Sequence, residues 1–277
     1  MDPKSGENFV DCTIGGAGHS LAILEKIKPD GKVLGIDADS TAIKRIKPRK
    51  RLILICGNFK DLKKIVQERG FGPIKGILFD LGLSSWQIEE SNRGFTFQKD
   101  EALDMRFNPK NQVLTALEII NIWPEEALKE IFRKYGEEKY GWKIAKQIIW
   151  ERNKGVIKTT FALREVIKRA IPIGRTQRRS INRVLARIFQ ALRIVINDEL
   201  ENLKQGLEQA LEILEPNGRL VVISFHSLED RIVKRFFKEN KSLGILTKKP
   251  IMASEEEIKK NSRSRSAKMR VAERLAS

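Results

Sequence analysis

The stretch that most constrains the fold is Asn8-Phe-Val-Asp-Cys-Thr-Ile-Gly-Gly-Ala-Gly-His-Ser20. A short apolar run, Phe9 to Cys12, enters a glycine-dense turn, and a helix-compatible segment, Leu21 to Ile27, follows at once. Strand, glycine turn and helix open a nucleotide-binding βαβ unit, because glycine lets the backbone turn tightly and approach a ligand closely. The next apolar run, Lys32-Val-Leu-Gly-Ile-Asp37, ends in an acid about twenty residues past the last glycine, the spacing at which a carboxylate meets a ribose diol. NAD enzymes, methyltransferases and some α/β turns without a ligand share this signal, so alone it leaves those classes open.

The same pattern repeats. A third run, Leu52 to Cys56, ends in Gly57-Asn-Phe59; after a charged helical stretch a fourth, Gly76 to Gly82, follows. Short apolar runs alternating with helices predict a mostly parallel sheet covered on both faces, with ligands at the carboxyl ends of its strands. That edge gathers Asp11, Gly15 to His19, Asp37, Phe59 and Asp80 from four consecutive strand ends.

Beyond Ser84 the pattern breaks into a polar loop reaching about Pro109. Helical segments follow without an intervening strand, one carrying the stripe Ala127, Leu128, Ile131, Phe132 and Tyr135. Trp142, Ala145, Ile148 and Ile149 continue the helical spacing, and Trp123, Trp142 and Trp150 read as packing residues. A helix over Thr160 to Ile171 is closed by Pro172, and a long amphipathic helix or helix pair runs from about Val184 to Leu214. The sheet resumes at Arg219 to Phe225 after the turn Pro216-Asn-Gly218. Ser227 and Asp230 stand at capping-box spacing for a helix start, and Gly244 to Lys249 and Lys268 to Val271 are the last strand candidates. The expected organisation is a first sheet part over 1–89, an all-helical insertion over 90–185, and a second sheet part over 186–277.

Composition narrows the partners. A formal charge of +17, from 53 lysines and arginines against 36 acids, points to a polyanion such as nucleic acid. Arg175, Arg178, Arg179, Arg183 and Arg187 form one basic cluster, and Arg263, Arg265, Lys268 and Arg270 a second, together read as a phosphate-contacting surface. No apolar run approaches the roughly 20 residues of a membrane span, so no membrane partner is expected. Two cysteines far from any Cys-x-x-Cys, Cys12 and Cys56, read as reduced core residues, and a cytoplasmic protein without a metal site is expected. Oligomeric state is open.

The chemistry centres on Asp80-Leu-Gly-Leu-Ser-Ser-Trp86. A dehydrogenase would ordinarily want a general acid here, whereas this loop offers acceptors and hydroxyls. That suits an amino group that sheds a proton after attacking an electrophilic carbon. Asp80 is the candidate proton acceptor or a cofactor contact, with Ser84 or Ser85 as orienting partners. Phe59 lies against an adenine ring or belongs to the core, and His226 orders the pocket by hydrogen bonds or is a satisfied core histidine.

The runs Asp11-Cys-Thr-Ile-Gly-Gly-Ala-Gly-His-Ser20, Leu78-Phe-Asp-Leu-Gly-Leu-Ser-Ser85, Arg93-Gly-Phe-Thr-Phe97, Leu103-Asp-Met-Arg106, Phe189-Gln-Ala-Leu-Arg193 and Ile223-Ser-Phe-His-Ser-Leu-Glu-Asp-Arg231 resemble the bacterial small-subunit ribosomal RNA cytosine-N4 methyltransferases (the RsmH, or MraW, family). The likeness covers nearly the whole chain. It implies a class I Rossmann-like methyltransferase sheet with a helical insertion, S-adenosylmethionine as donor, and a decoding-centre cytidine of 16S rRNA, free or in the small ribosomal subunit, as acceptor. It implies cofactor contacts at Ala17, Gly18, His19, Asp37, Phe59, Asp80 and Gln87. Three departures stand out. The sequence opens almost at the first strand, where the family carries a His-x-Pro-Val-Leu segment and a helix. Ala17 replaces a frequent glycine, and Arg183-Val-Leu-Ala-Arg-Ile188 replaces a more usual His-Pro-Ala-Thr-Arg-Thr. A methyltransferase for DNA or protein and, more remotely, an NAD-dependent oxidoreductase are the rival readings.

Overall fold

The computed structural model describes residues 1–171 and 178–276, with the side chains of 178–180 left aside. Pro172, the basic residue Arg175, and the side chains of Arg178 and Arg179 lie outside the described residues. The chain divides into two compact units, one of Met1–Gly82 with Leu200–Ser277 and one of Leu83–Glu199. The boundaries read from sequence, 90 and 185, both fall inside the second unit. The second unit opens at Leu83, just past the end of the fourth strand, and the helix after residue 185 still packs with the inserted helices.

The first unit begins β1 (Asn8–Asp11), α1 (Gly18–Lys26), β2 (Val33–Asp37), α2 (Ser40–Arg45), β3 (Leu52–Cys56), a 3-10 turn at Phe59–Asp61, α3 (Leu62–Glu68) and β4 (Ile74–Asp80). The second unit contains α4 (Ser85–Glu89), α5 (Ala116–Ile122), α6 (Glu125–Lys134), α7 (Gly141–Arg152), α8 (Thr160–Ala170) and α9 (Arg178–Asn197). The chain then continues through α10 (Glu199–Ile213), β5 (Leu214–Ser224), α11 (Ser227–Glu239), β6 (Leu243–Ile245), β7 (Ile251–Met252), α12 (Glu255–Lys260), a 3-10 turn at Ser262–Ser266, and β8 (Lys268–Arg274).

The eight strands form one sheet in the order β3-β2-β1-β4-β5-β8-β6, with β7 also on β8. The run from β3 to β5 is parallel, and β8 joins β5, β6 and β7 antiparallel. Adjacent strand residues point to opposite faces, and both faces are covered. Val10, Leu34, Phe79 and Val222 pack with α3, α10 and α11 on one side, through Leu62, Leu203, Leu207 and Val233. Phe9 and Val33 meet Ile23 and Leu24 of α1, and Ile27 just past its end, on the other. Gly35 permits the close fit of the glycine turn, since a Cβ there would run into the Ile14 side chain. The turn expected at Pro216–Gly218 survives as an irregularity inside β5. Pairing jumps from Ile74↔Leu214 to Gly76↔Arg219, and Asn217 takes a φ of 60°.

The second unit is all-helical among its described regular elements, around a core that includes Ile119, Leu128, Phe132, Ile144, Ile148, Leu163, Ile167, Ile188 and Leu192. Its entry loop ties two of the sequence motifs together. Met105 N donates to Arg93 O at 2.8 Å, and the buried Arg93 guanidinium donates to Arg106 O and Phe107 O at 3.0 Å each. Gly94, at φ 77°, brings its N–H to Glu101 Oε2 at 2.8 Å, where a Cβ would strike Ala102 O. The long amphipathic segment is a helix pair, broken at Asp198, whose φ of 51° cannot continue a right-handed helix.

Candidate active site

From β1 the chain builds outward to β2 and β3, then crosses back to place β4 on the other side of β1. This reversal leaves a crevice at the carboxyl ends of β1 and β4, the position where open α/β sheets bind ligands. The residues at those two ends are Asp11 and Asp80.

The glycine turn folds back across this edge. Ile14 N donates to Ile36 O at 2.9 Å, anchoring the turn on β2, and Gly15 N donates to Asp37 Oδ2 at 2.9 Å. Asp37 Oδ1 accepts from Asp39 N at 2.8 Å. Ala17 then takes φ 63°, a left-handed conformation that turns the chain into α1, and α1 starts without a side-chain cap. Its first-turn amides, Gly18 and His19 among them, therefore rely on something other than a side-chain oxygen, the situation in which a helix N-terminus receives a ligand.

Asp11 is buried, and accepts from Ser20 Oγ at 2.7 Å and Thr13 N at 3.2 Å. Thr13 in turn accepts from Asp80 N through Oγ1 at 2.7 Å, joining the tips of β1 and β4. Burial lifts the Asp11 carboxyl to about 6, against the pull of Ser20 and Thr13. Burial likewise lifts Asp37 to about 6, opposed by the amides of Asp39 and Gly15.

His19, from the first turn of α1, sets Nε2 3.2 Å from Asp80 Oδ2. The imidazole is 54% exposed and the Asp80 side chain 30% exposed. The hydrogen bond to Asp80 raises the His19 pKa, outweighing the effect of burial. The other oxygen, Asp80 Oδ1, is buried and has no hydrogen-bond partner among the described residues. A buried acceptor left open is costly, and calls for a donor from outside the chain.

Asp11, Ala17, Gly18, His19, Asp37 and Asp80 thus come together at one edge of the first unit. Phe59 sits half-buried past the tip of β3, edge-on to Phe79 at 5.3 Å between ring centroids. The remaining candidates, Ser84, Ser85 and Gln87, belong to the second unit and open α4. Ser84 Oγ accepts from Gln87 N at 3.2 Å, and Gln87 Oε1 accepts from Ser84 N at 2.9 Å, a reciprocal cap that holds Gln87 buried. Thr13 and Ser20 were not singled out from sequence. Their signal was their place, a hydroxyl on each side of the glycine turn, but only the fold aims both at the acids.

Four expectations change. The α11 cap is His226 with Glu229, one residue before the Ser227–Asp230 spacing: His226 Nδ1 accepts from Glu229 N at 3.4 Å, while Glu229 Oε2 takes Phe225 N at 2.8 Å. His226 Nε2 lies 3.1 Å from Glu229 Oε1, but off the line that a hydrogen bond needs, so this contact counts as proximity only. Trp142 and Trp150 are solvent-exposed rather than packed, whereas Trp123 does pack on the helical core. The C-terminal basic cluster is not a uniform phosphate surface, because Arg270 is buried on Asp230 at 2.6 Å and Lys268 lies 3.5 Å from the same acid. Cys12 is buried as expected, but Cys56 is exposed at the last position of β3.

No helix among the described residues is long and apolar enough to cross a membrane. The model of the MraW methylase family matches residues 1–275. A ribosomal RNA small subunit methyltransferase H from Thermomicrobium roseum is 46% identical over all of this chain and 90% of its own length. A protein of the same name from Carboxydothermus hydrogenoformans is 43% identical over all of this chain and 94% of its own. A solved rRNA methylase from Streptococcus thermophilus superposes with a TM-score of 0.45 at 11% identity, over 99% of this chain and 90% of that one.

Proposed function

Because this chain belongs to the MraW methylase family, we propose that it methylates small-subunit ribosomal RNA from S-adenosylmethionine, at the exocyclic N4 of a cytidine in the decoding centre of 16S rRNA. The strand-tip residues suit that donor. Each Asp37 oxygen accepts one backbone N–H and keeps a second acceptor site, enough to take a ribose diol. Ala17, Gly18 and His19 present the uncapped start of α1, and Phe59 is assigned to the adenine face. Gln87 is assigned as a further cofactor contact on the family resemblance, and its Oε1 accepts from Ser84 N in the α4 cap. When bound, S-adenosylmethionine supplies a methyl group already activated on a sulfonium centre.

The chain's own residues must then position the nucleophile and dispose of its proton. N4 of cytosine is a weak nucleophile because its lone pair is delocalised into the ring. An acceptor for an N4 hydrogen lets the nitrogen rehybridise, and takes the proton once the new bond forms. Asp80 Oδ1 is that acceptor. Its sister oxygen is held by His19, whose exposed ring gives the proton an outlet to solvent. Ser84 and Ser85 are assigned as orienting partners. The Ser84 oxygen serves the cap as an acceptor, so its O–H remains the group that can donate. Much of the rate enhancement then comes from holding the reactants in line.

The open Oδ1 of Asp80 beside His19, at the switch point of the sheet, is the observation that carries this reading. Labelled methyl transfer to small subunits lacking the modification, with the product base identified by mass spectrometry, tests it. The expected product is N4-methylated cytidine in 16S rRNA. Label on a ring carbon, on protein or on DNA overturns the acceptor, and calorimetric affinity for NAD without affinity for S-adenosylmethionine overturns the cofactor.

A further inference from the structure

Helix α7 packs through Ile144, Ala145 and Ile148, all fully buried, and does not use its two tryptophans to do so. Trp142 and Trp150 are 54% and 55% exposed. Positions 142, 146, 150 and 153 recur at i, i+4, i+8 and i+11, which brings them onto one helical face, and all four residues, Trp142, Lys146, Trp150 and Asn153, are exposed. Cations border that face. Lys143 Nζ lies 5.2 Å from the Trp142 ring and 6.0 Å from the Tyr140 ring, Lys139 Nζ is 4.8 Å from Tyr140, and Lys154 lies over Trp150. The one acid in α7, Glu151, is held by Arg169 at 2.8 Å, with Lys154 Nζ 3.7 Å from its other oxygen.

From this arrangement we infer that the exposed face of α7 is a stacking strip for a single-stranded segment of RNA, an inference that rests on the RNA substrate proposed above. Indoles left in water beside lysines match what a single strand presents, flat bases alternating with phosphates. Eight residues separate the tryptophans by about 12 Å along the axis, more than three times the ~3.4 Å spacing of stacked nucleotides in a strand. The two rings therefore take two bases of an extended strand that are not neighbours. A lysine over an exposed indole is held more weakly than a stacked base, so an arriving base displaces it toward the phosphates. A second copy of this chain is the poorer occupant, because it brings the same +17 charge to the same cationic face.

The test uses the full chain and a fluorescently labelled twelve-nucleotide single-stranded RNA of mixed sequence, read by anisotropy. The double variant Trp142→Ala/Trp150→Ala is expected to lose about tenfold to a hundredfold in RNA affinity, with unchanged affinity for S-adenosylhomocysteine as the check on folding. Trp142→Phe/Trp150→Phe, which keeps two aromatic faces, is expected to stay within a few-fold of the parent. Lys143→Gln/Lys146→Gln/Lys154→Gln should flatten the salt dependence of binding. RNA affinity of the alanine variant within twofold of the parent overturns the inference, as does a variant that changes only self-association. Methyl transfer to small subunits is measured in parallel. A parent that transfers normally while the alanine variant keeps its RNA affinity and KM removes the strip and leaves the function standing; a parent that fails to transfer removes the function.

Discussion

At the strand tips, Asp11 and Asp37 are surrounded by backbone amides and a serine hydroxyl, without an arginine or lysine ion pair among the described residues. In the helical unit, the carboxylates of Asp104, Glu138 and Glu199 each meet an arginine, at 2.7 Å from Arg106, 3.3 Å from Arg187 and 2.7 Å from Arg193. The electrostatic consequence is opposite in the two places. Burial dominates at the tips and lifts both carboxyls to about 6. Burial also pushes Asp104 up, but the Arg106 fork outweighs it and holds that acid below its usual range. A carboxylate closed by an arginine has completed its bonding and serves the fold. One held by single N–H donors keeps acceptor capacity, and can serve a ligand. Glu101 differs from these three, with Oε1 buried and without a hydrogen-bond partner among the described residues.

Substitutions can break this contrast, and the largest effect belongs to the acid with the open oxygen. Asp80→Asn keeps the shape but replaces a proton acceptor with an amide. Methyl transfer should fall by about 10²–10⁴-fold, with cofactor affinity nearly intact by calorimetry. Near-normal turnover would remove Asp80 from proton transfer, and an equal loss of cofactor affinity would move it to binding.

The converse holds in the helical unit. Arg193→Ala strands Glu199, whose carboxylate takes Arg193 at 2.7 and 2.9 Å, and breaking so buried a pair costs about 3–5 kcal/mol. Urea unfolding should show that loss, while kcat at temperatures where the variant stays folded changes little. A silent substitution would mean that Glu199 finds another donor.

Acidity sharpens the comparison without a mutation. If Asp37 must be ionised to take the ribose hydroxyls, S-adenosylhomocysteine affinity should weaken by about tenfold between pH 7 and 5, as a carboxyl at about 6 takes up its proton. Stability runs the other way for the same group. Its folded pKa lies above the unfolded value of 3.8, so its stabilising contribution is complete below 3.8 and is lost as pH rises through about 6. Calorimetric titrations across this range, repeated on Asp37→Asn, would show the pH dependence disappear if Asp37 causes it.

The smallest effect belongs to the turn between these acids. Ala17→Gly removes a Cβ from a left-handed backbone at φ 63°. It should change stability by no more than about 1 kcal/mol, because relief of strain is offset by greater freedom in the unfolded chain. Thermal unfolding measures it, and a larger loss would show that the buried Ala17 methyl is needed for packing.

Much of the site was legible because its parts are local. Apolar runs ending in Asp11, Asp37 and Asp80, with a glycine turn between the first two, follow from the side-chain period of strands and the demands of a tight turn. The inserted helices α6, α7 and α8 were legible from their stripes. Exposure was not. Trp150 lies across α7 from the buried Ile144, Ala145 and Ile148, but an aromatic on a helix reads as core until its neighbours are known. The His226 cap escaped notice because serine is the commoner capping residue, and Ser227 stood next to it.

The amino-acid order by itself determined the four parallel strands β1 to β4 and the glycine turn between the first two, since each depends on residues only a few positions apart. Tertiary structure alone decided that Thr13 reaches Asp80, that His19 holds one Asp80 oxygen and leaves the other open, and that Arg270 is spent on Asp230. Those relations join residues far apart in the chain, and hydrogen-bond geometry, which sets them, is defined only once the strands have taken their order in the sheet.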